Sequence, residues 1–333
     1  MQLTWRSACI GLLASHLPST QAANIQRITD SLQNPTNVGF YIYVPDKLAA
    51  HPAILVNPHA CHGSASDAYK GSRYASLADK HGFIVIYPDS PNKADSCWDV
   101  SSAETLRHNG GGDSLGIVSM VRWALDKYGA DRDRVFVTGV SSGAMMTSVL
   151  AGAYPDVFAA GSAFSGVPFG CFAPGGPAST SNAGAYDYWS DDCAKGKVTR
   201  TAEQWAAAVK AAYPGYDDWR PKVQIFHGTA DETLNYVNFG EEVKLWTGVF
   251  GLSSTPASTT PNTPVSGWTK AVYGPDGWFE AYSAQGVPHN IQVQEDTVMK
   301  FFGLDCAQNC FSWGQGGPFK TTKPRCRREA PAN

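Results

Sequence analysis

Gly139-Val140-Ser141-Ser142-Gly143 sets a serine hydroxyl between two glycines, and its flanks give that spacing a meaning. Before it, Arg134-Val135-Phe136-Val137-Thr138 is a short apolar run with the length of a buried strand. After it, Ala144 to Leu150 reads as a helix that closes at Gly152 and Pro155. A serine at such a strand-to-helix turn stands exposed at the top of a sheet, and the first amides of the helix point toward the carbonyl it attacks. The chemistry that fits is nucleophilic attack on an acyl carbon. The pattern alone is weak in a chain with 33 glycines, because a surface turn serine satisfies it equally. The strand before it and the helix after it carry the weight.

A serine hydroxyl is a poor nucleophile at neutral pH and needs a base, which in turn needs an orienting acid. In α/β-hydrolases the three follow in the order Ser, Asp/Glu, His, on turns after later strands. The apolar run Val223 to Phe226 leads into His227-Gly228-Thr229-Ala230-Asp231, which puts Asp231 at a strand's carboxyl end. The run Trp278 to Tyr282 leads to Gly286-Val287-Pro288-His289, ahead of a helix around Gln294 to Phe302. Neither Asp217, Asp218 nor Asp276 follows an apolar strand in this way. His62 is the rival base, since its loop should lie beside the nucleophile; position after the last strand favours His289. His227 is expected to pack or bond locally, and His51 and His81 to lie at the surface. The oxyanion needs two convergent donors. One is the amide of Ser142; the other belongs to the loop Pro58-His59-Ala60-Cys61-His62-Gly63, where a backbone amide demands no particular side chain.

These residues must be held by a sheet. Phe40 to Val44, Ala53 to Val56, Phe83 to Tyr87, Val135 to Thr138, Ala159 to Phe164, Val223 to Phe226 and Trp278 to Tyr282 read as strands, with helices between them. Ser114 to Tyr128 carries Leu115, Val118, Val121 and Leu125 on one face, with Asp113 placed as its cap. Thr201-Ala202-Glu203-Gln204 is a capping box opening a helix that stops before Pro214. The alternation predicts an α/β fold: a mostly parallel sheet covered by helices on both faces. Ala173 to Arg200 breaks it as a Gly/Ser/Asp-rich excursion stapled by Cys171 and Cys193, and Ser253 to Pro264 reads as an exposed loop.

The 333 residues carry a net charge of −3, which gives no electrostatic case for nucleic acid or an anionic membrane as partner. Residues 1–22 have the order of a secretory signal, with Arg6, an apolar stretch and cleavage after Ala22 or Ala23; a disordered arm is the other reading. Removing it takes Cys9 from the 8 cysteines and leaves an odd set, Cys61, Cys97, Cys171, Cys193, Cys306, Cys310 and Cys326, without metal-binding spacing. Disulfides in an oxidising compartment account for them, and no metal or organic cofactor is implied. Cys306 and Cys310 can form a local bridge, which leaves Cys326 as the free or intermolecular thiol. The sequence thus divides into a signal at 1–22, a catalytic domain at 23–304 and a basic, poorly ordered tail at 305–333 that catalysis should not need.

Several runs occur together in one family: Asn34-Pro35-Thr36-Asn37, Cys97-Trp98-Asp99-Val100, Gly111-Gly112-Asp113-Ser114-Leu115, Ser142-Gly143-Ala144-Met145-Met146-Thr147 and Ala151-Gly152-Ala153-Tyr154-Pro155-Asp156-Val157-Phe158. From about Asn24 to Leu304 the chain resembles fungal carbohydrate esterase family 1, which holds acetylxylan esterases and type B feruloyl esterases, and more distantly polyhydroxybutyrate depolymerases. The resemblance implies an α/β-hydrolase with Ser141, Asp231 and His289 as triad and Cys61 and Ser142 supplying oxyanion amides. It also implies a Cys61–Cys97 bridge joining the oxyanion loop to the Trp98 loop, with His62 and Trp98 as candidate substrate contacts. Members usually carry His-Pro-Cys followed by Thr or Gly where this chain has His59-Ala60-Cys61-His62, a change that bears on substrate preference more than on catalysis. The expected activity is that of a secreted, monomeric serine esterase acting on acylated xylan, deacetylation ahead of feruloyl release. The alternative from another class is a non-catalytic carbohydrate-binding protein that kept the fold.

Overall fold

The computed structural model describes residues 24–173, 189–274 and 277–319. Its centre is parallel. Strands β3 (Ile54–Val56), β4 (Ile84–Asp89), β5 (Val135–Val140), β6 (Ala160–Phe164), β7 (Lys222–Gly228) and β10 (Phe279–Ala284) run side by side in the order β4-β3-β5-β6-β7-β10. Antiparallel strands extend both edges: β2 (Gly39–Tyr43) and then β1 (Gln26–Ile28) beyond β4, β9 (Trp268–Tyr273) and then β8 (Ser258–Pro261) beyond β10. The central strands are buried on both faces, as the continuous apolar runs require; Val135, Phe136 and Val137 are each fully buried.

Eight helices among the described residues flank the sheet: α1 (Ala65–Gly71), α2 (Tyr74–His81), α3 (Gly112–Tyr128), α4 (Ser142–Ala153), α5 (Asp191–Ala194), α6 (Ala202–Ala212), α7 (Val237–Phe250) and α8 (Glu295–Phe302). The capping box of α6 forms: the Thr201 hydroxyl accepts from the Gln204 amide, and the Gln204 side chain accepts from the Thr201 amide. Asp113 does not cap α3. Gly111 occupies the N-cap, and Asp113, one residue inside the helix, accepts the Thr36 hydroxyl at 2.7 Å and the Asp99 amide at 3.1 Å. The exposed stretch 253–264 also differs from expectation, because β8 forms within it as an edge strand. Aromatic pairs follow the register. Phe164, Phe226 and Tyr282 sit opposite one another on β6, β7 and β10 and stack at 4.1 and 4.3 Å, aligning the strand ends that lead into the functional loops.

Disulfides join Cys61 to Cys97, Cys171 to Cys193 and Cys306 to Cys310; Cys9 and Cys326 lie outside the described residues, as does the proposed signal. The boundary at Leu304 needs correction, because the packed chain continues to residue 319. Trp313 is only 8% exposed. Its indole N–H donates to the Pro155 carbonyl at 2.7 Å, and its ring packs on Trp219 at 5.2 Å. The Trp219 indole in turn donates to the Gly316 carbonyl at 3.1 Å. A segment without periodicity is thus held by single large aromatics, a signal that periodicity cannot carry. Trp313→Ala should cost about 3–5 kcal/mol in urea unfolding while sparing turnover of the folded protein. Ending the chain at Leu304 should destabilise it at least as much.

Glu242 on α7 is 1% exposed, and its Oε1 has no hydrogen-bond partner. Burial alone pushes its carboxyl up from 4.5 to about 8. Between those two values the folded protein holds a proton that the unfolded chain has lost, so stability falls as pH rises through that window and levels off above it. Glu242→Gln removes the titration. Its melting temperature should match wild type near pH 4 and exceed it increasingly up to pH 8, as thermal melts across that range will show.

Candidate active site

Ser141 joins β5 to α4 with φ 56° and ψ −121°, a left-handed backbone that a serine adopts only under constraint. Its amide donates to the Phe164 carbonyl at 2.9 Å, and its own carbonyl accepts the amides of Ala144 and Met145. The two glycines of the motif serve close approach. A Cβ on Gly143 would sit on the Pro58 carbonyl oxygen, and one on Gly139 would lie 2.6 Å from the Gly143 carbonyl and 2.8 Å from that of Pro58. The loop that begins at Pro58 therefore rests against the first turn of α4, whose leading amides have no partner within the helix.

The structure brings together residues far apart in the chain. His289 Nε2 lies 2.9 Å from Ser141 Oγ. His289 Nδ1 lies 2.8 Å from Asp231 Oδ2 and 3.0 Å from Oδ1. Asp231 sits in the turn after β7, its Oδ1 accepting the amides of Thr233 at 2.9 Å and Leu234 at 2.7 Å. That turn is locked to the His289 loop: Thr229 N–H donates to the Ala284 carbonyl, Ala230 N–H to that of Val287, and Gly286 N–H to the Thr229 hydroxyl. A Cβ on Gly228 would overlap the Val287 carbonyl, so only glycine admits this approach. Burial pushes the Asp231 carboxyl upward, but hydrogen bonds from His227, His289 and the Leu234 amide outweigh it and hold the group well below the ordinary carboxylate range. Asp231 is thus an anion throughout the working range, able to stabilise an imidazolium.

Across the site, Cys61 is bonded to Cys97, and Trp98 braces the same loop. The Trp98 amide donates to Ser142 Oγ at 2.8 Å and its indole N–H to the His59 carbonyl at 2.8 Å. Trp98 is 3% exposed, so it supports the loop from within and offers no face to substrate, correcting its expected role. His62 stays exposed on the loop, at φ 59°, with its amide donating to the Asp95 carbonyl. His59 is buried and neutral: Nδ1–H donates to the Ala60 carbonyl at 2.7 Å, Nε2 accepts the Ser90 amide at 3.0 Å, and burial lowers its pKa. A cavity of 620 Å³ adjoins the triad, lined among others by Pro58, Ala60, Tyr74, Val140, Phe164 and Ile291. Sequence reasoning missed two contacts. Glu232 Oε2 accepts the His289 amide at 3.1 Å, and His227 Nε2 reaches Asp231 Oδ2 at 3.1 Å; the His227–Asp231 spacing of four residues across one turn was the available signal.

A serine, an imidazole and a buried carboxylate in this sequence of contacts can activate a hydroxyl for acyl transfer. Residues 38–233 match the family described as esterase PHB depolymerase. Acetylxylan esterase A of Emericella nidulans is 47% identical over 303 residues, covering 91% of this chain and 96% of that protein. The chain belongs to this esterase family. It is a carboxylic ester hydrolase, not a non-catalytic carbohydrate-binding protein. Feruloyl esterase B of Talaromyces stipitatus is 45% identical, over 88% of this chain and 79% of that one. The solved acetyl xylan esterase from Aspergillus awamori superposes with a TM-score of 0.80 at 47% identity, covering 84% of this chain and 99% of that one, and the α/β-hydrolase fold is shared. For this esterase the Gly143 contact yields a direct test. Gly143→Ala should displace the oxyanion loop and lower kcat roughly 100-fold, the scale of a lost oxyanion donor. Gly240→Ala on α7, where nothing lies within 4 Å of the added Cβ, should leave p-nitrophenyl acetate turnover unchanged.

Proposed function

We propose that the enzyme is secreted and deacetylates xylan by a Ser-His-Asp mechanism. Ser141 Oγ attacks the acetyl carbonyl as His289 Nε2 takes its proton, and Asp231 fixes the imidazole tautomer and stabilises its charged form. The amides of Cys61 and Ser142 receive the negative charge that develops on the carbonyl oxygen. Collapse breaks the ester bond, and the sugar hydroxyl leaves with the proton returned by His289. Water, deprotonated by the same imidazole, then hydrolyses the acyl-serine and frees acetate. His62 contacts the sugar from the oxyanion loop. The observation that carries this reading is the unbroken relay from Ser141 Oγ through His289 to Asp231, at 2.9 and 2.8 Å. The acetyl preference draws on the names of the relatives in which 47% of residues are shared, and the name of the 45% identical relative makes feruloyl release the second reading.

Initial rates on acetylated xylan and on methyl ferulate, measured side by side, decide between the two esters; the acetyl substrate is expected to be turned over faster. Ser141→Ala and His289→Ala should each lower kcat by roughly 10³–10⁶, and Asp231→Asn by about 10⁴. The mature secreted protein should begin at Ala23 or Asn24. Near wild-type activity in His289→Ala, with activity abolished in His62→Ala, would transfer the base to the oxyanion loop.

A further inference from the structure

Asp231 Oδ2 is shared by two imidazoles, and the mechanism above uses only one. His227 Nε2 lies 3.1 Å from Oδ2 and 2.9 Å from the Leu234 carbonyl, and the side chains of His227 and Asp231 are both fully buried. Both neighbours of Nε2 can only accept, so Nε2 carries the proton. Nδ1 is buried with no hydrogen-bond partner, and a second proton there would be an N–H without an acceptor. The ring is therefore neutral and fixed in one tautomer. Tyr236, the N-cap of α7, and Phe239 within that helix approach it edge-on at 6.0 and 6.5 Å.

We propose that His227 is a positioning residue for catalysis: its Nε2–H holds Asp231 Oδ2 in place and takes a share of that oxygen's lone-pair density, which limits how strongly Asp231 binds His289. The proposal rests on the triad reading above. The Thr233 and Leu234 amides fix Oδ1 alone, so apart from His289 itself, the group to be oriented, the carboxylate would be held by one oxygen and could still pivot. His227 supplies the second anchor, from the end of β7 instead of from the turn itself. It also sets basicity. With one donor fewer, Oδ2 becomes a stronger acceptor toward His289 and favours the imidazolium, so the base stays protonated to higher pH. The other titratable groups that face this set are Glu232, whose carboxylate accepts the His289 amide, and Tyr236, whose hydroxyl is paired with Ser283 at 2.7 Å. Neither touches Oδ2.

The test is the pH profile of kcat and kcat/KM on p-nitrophenyl acetate for His227→Leu, His227→Gln and His227→Asn. A glutamine amide nitrogen reaches the place of imidazole Nε2, whereas that of asparagine reaches only the place of Nδ1. The leucine and asparagine variants should lose roughly 10- to 100-fold in kcat with KM little changed, the scale of a lost hydrogen bond to a charged group. Their acid limb should move up by about 0.5–1 pH unit. Glutamine should restore both. If the leucine variant does not fold, the glutamine–asparagine pair carries the comparison. Wild-type kcat and an unshifted acid limb in the asparagine variant would overturn the proposal. So would equal loss in all three variants with no movement of the profile, which is the signature of packing alone. Ser141→Ala, run in parallel, separates this from the triad reading: if it keeps activity, the triad itself is at fault.

Discussion

A serine held at φ 56° and ψ −121° is the constraint around which the rest of the molecule is arranged. Such a backbone costs about 1–3 kcal/mol and persists only where its surroundings leave no alternative. Here the surroundings are rigid on every side. All residues of α4 are buried, so the helix is enclosed around its whole circumference and carries no charged residue. The strand before it is paired on both sides, to β3 and to β6. The Pro58 carbonyl presses on the space left by two missing side chains. Low polarity in α4 and glycine at positions 139 and 143 are therefore one requirement expressed three times: the turn must not relax.

Two buried carboxylates show how this fold assigns charge. Asp231 is 7% exposed and Glu242 is 1% exposed, and burial pushes both pKa values in the same direction. What separates them is the supply of donors. Asp231 meets two backbone amides and two imidazoles and stays ionised. The Glu242 Oε1 meets none, and its carboxyl is neutral at pH 7. The charged group stands against His289 Nδ1, and the donors that hold it come from the ends of different strands. A sheet with aligned carboxyl ends is the cheapest way to bring such donors to one point.

The sequence made legible what obeys a period or a local rule. Continuous apolar runs located the central strands, and the order serine, acid, histidine after successive strands singled out the three residues that meet. The Thr201 capping box was readable because its partners are three residues apart. What escaped depends on contacts between distant segments. Asp113 has the right type for a cap, but the folded chain delivers the Thr36 hydroxyl and the Asp99 amide to it. Trp98 has the right type for a sugar platform, but the indole N–H is engaged by the His59 carbonyl. Residues 305–319 lack periodicity, and Trp313 gains its place from distant segments, the ring of Trp219 and the Pro155 carbonyl. An exposed edge such as β8 has no burial to leave an alternating pattern, so its strand was invisible.

The loop from Pro58 to Gly63 differs from the pattern of the family it resembles at Ala60, where proline is usual, and at His62, where threonine or glycine is usual, and the contacts around it show how the loop keeps its shape. A proline would restrict the backbone even before folding, an effect worth about 0.4–1 kcal/mol. Ala60 provides no such restriction, so order must come from the folded state. His59 supplies it from both ring nitrogens, donating to the Ala60 carbonyl and accepting the Ser90 amide. The Gly63 amide closes on the same Ala60 carbonyl at 3.2 Å, and the Cys61–Cys97 bridge ties the loop to the segment that carries Trp98. This arrangement works only while the His59 ring is neutral, since a protonated Nε2 would face the Ser90 N–H. Burial lowers the pKa of that ring and keeps Nε2 an acceptor. The desolvation that makes His59 a poor base thus makes it a dependable strut for the loop.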